Sequence, residues 1–282
     1  IWVIFMHLKT SDIYKANSLV SASYRLSVQE QRILLACISQ VDVKGGEEVT
    51  DDKMYSVKVS DIEQMIENSS KNMYLEIKNA ALSLFERQLT LNSWPNGSGN
   101  RKVLVTRWVQ SIEYDEKNGQ VNLRFSKDIT PYLTNLSSQY TKYSLKDVSK
   151  LSSAHAVRIF ELMMQWKSTG KATYSIEDLR SILLLKDEYS KICDFKKRVL
   201  QIAEKQINTH TPYKLIIDQK KTGRKVTHFI FTFNLKDEAK PKKIRKKPTK
   251  SDLKDPKFLS KHGKPGEESS DVIRRLKEQF SI

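Results

Sequence analysis

Two stretches of this chain run through the same order of elements, and that repetition limits what it can fold into more than any single motif does. In "LSVQEQRILLACISQV" the apolar residues Leu26, Ile33, Leu34, Cys37, Ile38 and Val41 recur at helical spacing, and Ser27 with Glu30 three residues on marks a capped helix start. "YSVKVSDIEQMI" reads as a short alternating strand and a helix opened by Ser60. "NMYLEIKNAALSLFERQLTL" reads as a longer amphipathic helix with Tyr74, Ile77, Ala81, Leu84 and Phe85 inward. "RKVLVTRWVQSIEYDEKNGQVNLRFS" then predicts two strands joined through Asn118-Gly119, a pair that tolerates the positive φ of a tight hairpin turn.

The second half repeats the order. "SSAHAVRIFELMMQWKS" predicts a helix with Ala156, Ile159, Phe160, Met163 and Trp166 on one side, "TYSIEDLRSILL" a strand and helix, and Asp194 to Phe233 a third helix leading into a hairpin that turns at Thr222-Gly223. Local echoes such as "QRILLACISQ" beside "VRIFELMMQW" keep the same sequence of positions. Three helices followed by a hairpin wing describe a winged helix, so the expected fold is α+β: two tandem winged-helix domains related by duplication. The boundaries read as an N-terminal extension at 1–15, a first domain at 16–138, a linker at 139–150, a second domain at 151–235 and a tail at 236–282. Met6 reads as the natural start, with residues 1–5 upstream of it.

Charge indicates what such modules bind. The 282 residues carry a formal net charge of +16 with a pI near 9.6, the footprint of a polyanion binder, with nucleic acid first and an anionic membrane surface second. No run approaches the roughly 20 apolar residues that a bilayer span requires. Cys37 and Cys193 are too few and too far apart for a disulfide framework or a zinc ribbon, fit a reducing compartment, and read as small buried hydrophobes. The tail holds 15 Lys or Arg against 8 Asp or Glu, four prolines and few apolar residues, which predicts disorder; "PKKIRKKPTK" reads as a nonspecific phosphate arm or a solvating segment, and "DVIRRLKEQF" as a short helix.

The densest chemistry lies in Asp194 to Phe233. At 100° per residue, Phe195, Val199, Ile202, Ala203 and Ile207 share one face, while Asp194, Lys197, Arg198, Gln201, Lys205 and Asn208 fall on the other. Lys, Arg, Gln and Asn have donors and acceptors that match base edges and phosphates in the major groove. Asp194 reads as the N-cap, and the hairpin tip with Lys220, Lys221, Arg224 and Lys225 as a grip on the DNA backbone or minor groove. The third helix of the first unit mixes Glu76 and Glu86 with Lys78 and Arg87, which suits a supporting or dimerising role better than reading DNA. Leu19, Leu26 and Ile33 recur every seven residues, a pattern open to a dimerisation seam or to core packing.

Catalysis finds no support. His7, His155, His210, His228 and His262 include no pair at metal-ligand spacing, "NGSGN" lacks the Lys-Ser/Thr of a phosphate loop and reads as a flexible hairpin loop, and no cofactor, metal site or catalytic residue is expected.

Asn17-Ser18-Leu19-Val20, then "YRLSVQEQRILLACISQV", then "DFKKRVLQIAEKQIN" before a basic hairpin ending "HFIFTF", resemble the initiator proteins of theta-replicating, iteron-containing bacterial plasmids. The resemblance spans residues 16–235. It implies a bacterial, cytoplasmic protein whose monomers bind the double-stranded repeats of an origin and whose dimers, formed through the first domain, repress their own gene. Host initiator, replicative helicase and chaperone partners are implied as well. Residue by residue, it nominates Lys197, Arg198 and Gln201 for base contacts and Lys196 and Lys205 for phosphates. The competing readings are a transcription regulator built from the same modules, which would bind an operator without origin activity, and a protein-interaction scaffold.

Overall fold

A computed structural model of the chain describes residues 11–41, 52–66, 70–185, 188–236, 251–262 and 267–280. Residues 1–6 and the basic segment 241–250 lie outside the described residues. The described parts up to 236 and from 251 onward belong to two separate compact units.

The larger unit enters through strand β1 (Asp12–Ala16), one helical turn α1 (Asn17–Val20), and the short strand β2 (Ser23–Tyr24). Helix α2 (Val28–Ile38) starts as its sequence predicts: Ser27 Oγ accepts from the Glu30 amide at 3.2 Å, and Glu30 Oε2 accepts from the Ser27 amide at 2.6 Å. Leu19, Leu26 and Ile33 are 0%, 3% and 0% exposed. Their recurrence every seven residues therefore reports packing into the chain's own core, and they offer no seam to a second chain.

Strand β3 (Tyr55–Lys58) and helices α3 (Val59–Gln64) and α4 (Met73–Phe85) follow, then β4 (Gln88–Ser93), β5 (Asn100–Arg107), β6 (Val109–Asp115) and β7 (Gln120–Phe125). Here the two-strand expectation falls short by one. The fully buried Trp108 breaks the extended run, so β5 joins β4 and β2 in one sheet while β6 joins β7 and β3 in another. Alternation along a strand sets its two faces but not the sheet it enters. Gly119, at φ +58°, closes the β6–β7 turn, and Asn118 donates to Asp115 there. The "NGSGN" loop is pinned: Asn96 accepts from the amides of Ser137 and Ser138 and donates to the Asn135 carbonyl.

Residues 139–150 are not a linker. Strand β8 (Tyr140–Ser144) pairs antiparallel with β1, from Asp12 opposite Ser144 to Ala16 opposite Tyr140, and leads into helix α5 (Leu145–Ser149). Residues 12–15 thus belong to a strand rather than to an extension. A buried lysine, Lys15, hides the apolar pattern that would have disclosed it.

The second winged helix comprises α6 (Ala154–Met164), β9 (Lys171–Ser175), α7 (Ile176–Ile182), α8 (Ile192–Phe195), α9 (Gln201–His210), β10 (Tyr213–Thr222) and β11 (Lys225–Leu235). Its sheet runs β10-β11-β9, and the matching sheet of the first runs β6-β7-β3. In both, the strand before the second helix pairs with the last strand of the wing, so the duplication seen as an order of elements is also a shared topology.

Where α6 meets the first winged helix, five polar side chains are sealed from water. Glu161 Oε1 accepts from Lys15 Nζ and from the Tyr143 hydroxyl, both at 2.6 Å; its Oε2 accepts from Arg158 Nη1 at 2.9 Å and the Tyr24 hydroxyl at 3.2 Å. Arg158 Nη2 also donates to the carbonyls of Val20 and Ala22 at 2.9 and 3.0 Å, and its guanidinium stacks 3.7 Å from the Tyr24 ring centroid. Burial alone would raise the Glu161 pKa, but the Lys15 and Arg158 charges and the bonds from Lys15 and Tyr143 bring it down to about 2.

The smaller unit departs from the disorder that composition predicts. A 3₁₀ turn (Asp252–Lys254) and helices α10 (Pro256–His262) and α11 (Ser269–Phe280) bury Leu253, Leu259, Val272 and Leu276 together in a small cluster, and α11 contains the helix read from "DVIRRLKEQF".

Candidate nucleic-acid interface

The proposed reading helix begins earlier and is less regular than its sequence suggests. Lys191 is its N-cap without a side-chain cap, and a π-helical turn (Lys196–Leu200) separates α8 from α9. Such turns are rare and concentrate at functional sites. Asp194 is accordingly not the cap: it lies half-buried in the first turn, where its charge complements the helix dipole. Phe195, Val199, Ala203 and Ile207 are fully buried, with Phe195 against Phe229 of the wing and beneath the Arg180 guanidinium.

Two nominated residues are used inside the domain. Asn208 Nδ2 donates to the Leu215 carbonyl at 2.8 Å, and its Oδ1 accepts from the Leu215 amide at 2.6 Å. This side chain clamps α9 to β10, and both of its polar atoms are engaged by the wing strand rather than presented to a base. Lys196 Nζ donates to Gln219 Oε1 at 3.0 Å, tying the π turn to the hairpin. Asn208→Ala is expected to cost about 1–3 kcal/mol of unfolding free energy by stranding the buried Leu215 amide, a loss measurable by urea denaturation.

The remaining nominees share one surface. Lys197, Arg198, Gln201 and Lys205 are exposed along the helix. Lys220, Lys221, Arg224 and Lys225 are exposed at the hairpin end, where Gly223 at φ +61° makes the turn and a register shift between Lys220 and Lys221 twists the tip. None of these seven cations forms an ion pair or a side-chain hydrogen bond with another described residue. Lys236 instead caps the far end of α9, donating to the Asn208 and Thr211 carbonyls at 2.6 and 2.7 Å.

The first unit contrasts with this. Around α4, Lys78 pairs with Glu116, Arg87 with Glu30 at 2.8 Å, and Arg107 with Glu86 at 3.0 Å. What α4 shows to solvent is largely apolar: Tyr74, Leu75 and Leu82 are each at least half exposed, with Asn79 beside them. Its cations are neutralised, and its surface suits contact with protein better than contact with phosphate. Tyr74 also overturns the inward placement read from its spacing, since it sits in the first turn, at the end of the buried stripe.

Cys37 is buried as expected, but Cys193 is exposed. Among the described residues no group of three His, Cys, Asp or Glu is placed to hold a metal ion, and no helix is long and apolar enough to cross a membrane.

Fold and site together define a tandem winged-helix protein whose second winged helix carries an exposed cationic face, unpaired among the described residues. Residues 12–164 match the family model of the WH1 domain of initiator replication proteins, residues 175–233 match the model of their WH2 domain, and the chain belongs to this replication initiator family. The WH1 match takes in α6, which the sequence reading assigned to the second unit; α6 packs on both. A replication initiation protein of Escherichia coli is 25% identical over 228 residues, covering 79% of this chain and 69% of that relative. A second E. coli relative, known only as an uncharacterized 27.6 kDa protein, is 26% identical over 212 residues, covering 72% of this chain and 87% of the relative. Among solved structures, the Pi initiator protein in complex with iteron DNA superposes with a TM-score of 0.64 at 20% identity, covering 81% of this chain and 99% of that one, a likeness of fold.

Proposed function

We propose that this chain binds the repeated sequences of a plasmid replication origin as double-stranded DNA and starts replication there, in the bacterial cytoplasm and without catalytic chemistry of its own. The observation that carries the reading is the set of seven exposed cations, unpaired among the described residues, on one helix face and one wing of the second winged helix. A major groove admits a helix of this kind, and the wing tip suits the flanking backbone. The structural neighbour, seen with iteron DNA, supports the same mode of binding here. A host initiator, the replicative helicase and chaperones are the expected partners. The test is footprinting on the DNA that flanks the gene: protection of tandem repeats about two helical turns apart is the expected result.

Dimerisation for autorepression belongs on β5. Among the described residues it pairs with β4 alone and forms the edge of its sheet, with Val103 and Val105 on one face at 70% and 57% exposure. An apolar edge strand is a template for another strand, and a twofold antiparallel pairing with a second copy would cover it. Val105→Glu is expected to raise the dimer dissociation constant at least about tenfold in sedimentation equilibrium, since like charges would face each other across the axis.

A further inference from the structure

The reading face contains one residue that its chemistry does not explain. Ile202 is 41% exposed, and it sits on α9 beside Gln201, one turn from Arg198 and from Lys205. At 100° per residue, Gln201, Ile202, Lys205 and Thr209 span an arc of about 100°, the exposed arc of the helix. The core does not need it, because Val199, Ala203 and Ile207 already fill the buried side at 0% exposure. The helix does not need it either, because a β-branched residue at an exposed helical site is a poorer helix former than Lys or Gln.

A straight-helix projection places Ile202 with the buried residues. The π turn (Lys196–Leu200) immediately before it takes more residues per turn, so α9 is rotated relative to that projection and Ile202 moves out to the cationic face. There it is a large apolar side chain ringed by the groups that would draw a major groove onto this helix.

We infer that Ile202 is a specificity-determining contact, seated against the C5-methyl group of a thymine in the origin repeat. Thymine is the one natural base that presents an apolar group in the major groove, and an aliphatic side chain is its matching contact. The inference rests on the proposed binding of origin repeats and adds a base identity to it. It also explains why an apolar residue is kept within a cationic stripe, where it contributes nothing to phosphate attraction.

The experiment uses the full chain and duplexes carrying one flanking repeat, in which each thymine is replaced in turn by uracil, a change that removes only the methyl group. The wild type is expected to lose about fourfold in affinity at one thymine position, the effect of one buried methyl group. Ile202→Ala, an exposed helix-compatible change, is expected to bind the thymine duplex about fourfold more weakly than the wild type and to be indifferent to uracil at that position. If no uracil position weakens the wild type, or if the same loss persists in Ile202→Ala, the methyl contact is wrong while repeat binding stands. If the wild type shows no preference for the repeat over a scrambled duplex, the underlying reading fails and takes this inference with it.

Discussion

Glu161→Ala is expected to lower the unfolding free energy by about 3–5 kcal/mol, because it leaves two buried cations without their counter-charge. Glu161 is 1% exposed and is the only carboxylate among the buried side chains it touches; without it, Lys15 and Arg158 would face each other as buried cations with no counter-charge. Arg158 would keep the Val20 and Ala22 carbonyls, whereas Lys15 would lose its hydrogen bond and keep the face of the Trp108 ring, 5.8 Å away. Lys15→Met should cost less, because Arg158 still pairs with Glu161. The same group sets an acid limit. Its folded pKa of about 2 lies below the ordinary 4.5, so its contribution is fully present above pH 4.5 and disappears as pH falls toward 2, about 3 kcal/mol in all. Urea denaturation of the wild type and Glu161→Gln between pH 7 and 3 should show the wild type losing stability more steeply with acid. A loss under 1 kcal/mol for Glu161→Ala at pH 7 would contradict the picture of the network as the joint between the two winged helices.

Lys197→Ala and Arg198→Ala are expected to weaken binding to the origin repeats by about 1–3 kcal/mol each, roughly 5- to 150-fold, with the protein's stability unchanged. Both side chains are exposed and make no side-chain bond to another described residue, so their removal leaves none of those unpaired. The two outcomes separate the roles. A residue that reads a base loses discrimination at one base pair, whereas one that holds a phosphate weakens all sequences alike and reduces the salt slope by about 1. Lys220→Ala and Arg224→Ala on the wing should behave in the second way. Asn208→Ala, by contrast, should reduce stability first, because its amide is already committed to Leu215.

The winged-helix tandem was legible because its helices and wing strands follow the simple periods of 3.6 and 2, and because the capping box at Ser27 and Glu30 marks a boundary in sequence as well as in structure. Strand β1 was hidden by Lys15, a charged residue that is buried only because Glu161, 146 positions away, meets it. No local pattern reports a partner at that distance. In the candidate site, the exposed cations could be named from the sequence because a long helix and a hairpin dictate which residues face water. Asn208 and Ile202 exchanged their expected roles for two different reasons. The Asn208 amide finds both its partners on the neighbouring strand, a tertiary contact, and Ile202 follows a π turn that no uniform helical projection includes. In the tail, "DVIRRLKEQF" was legible as the helix at 269–280, whereas the helix at 256–262 was obscured because an average over a Lys- and Pro-rich segment dilutes its few apolar residues.

The central claim is that the second winged helix reads the repeats of an origin, and its most direct test is a competition measurement at one fixed salt concentration. Full-length protein bound to a labelled duplex of the flanking repeat is challenged with the same repeat and with a scrambled duplex of equal length and composition. The account predicts a preference for the repeat of about a thousandfold or more that falls steeply in Arg198→Ala. Equal competition by both duplexes, or a preference untouched by Arg198→Ala, would contradict it.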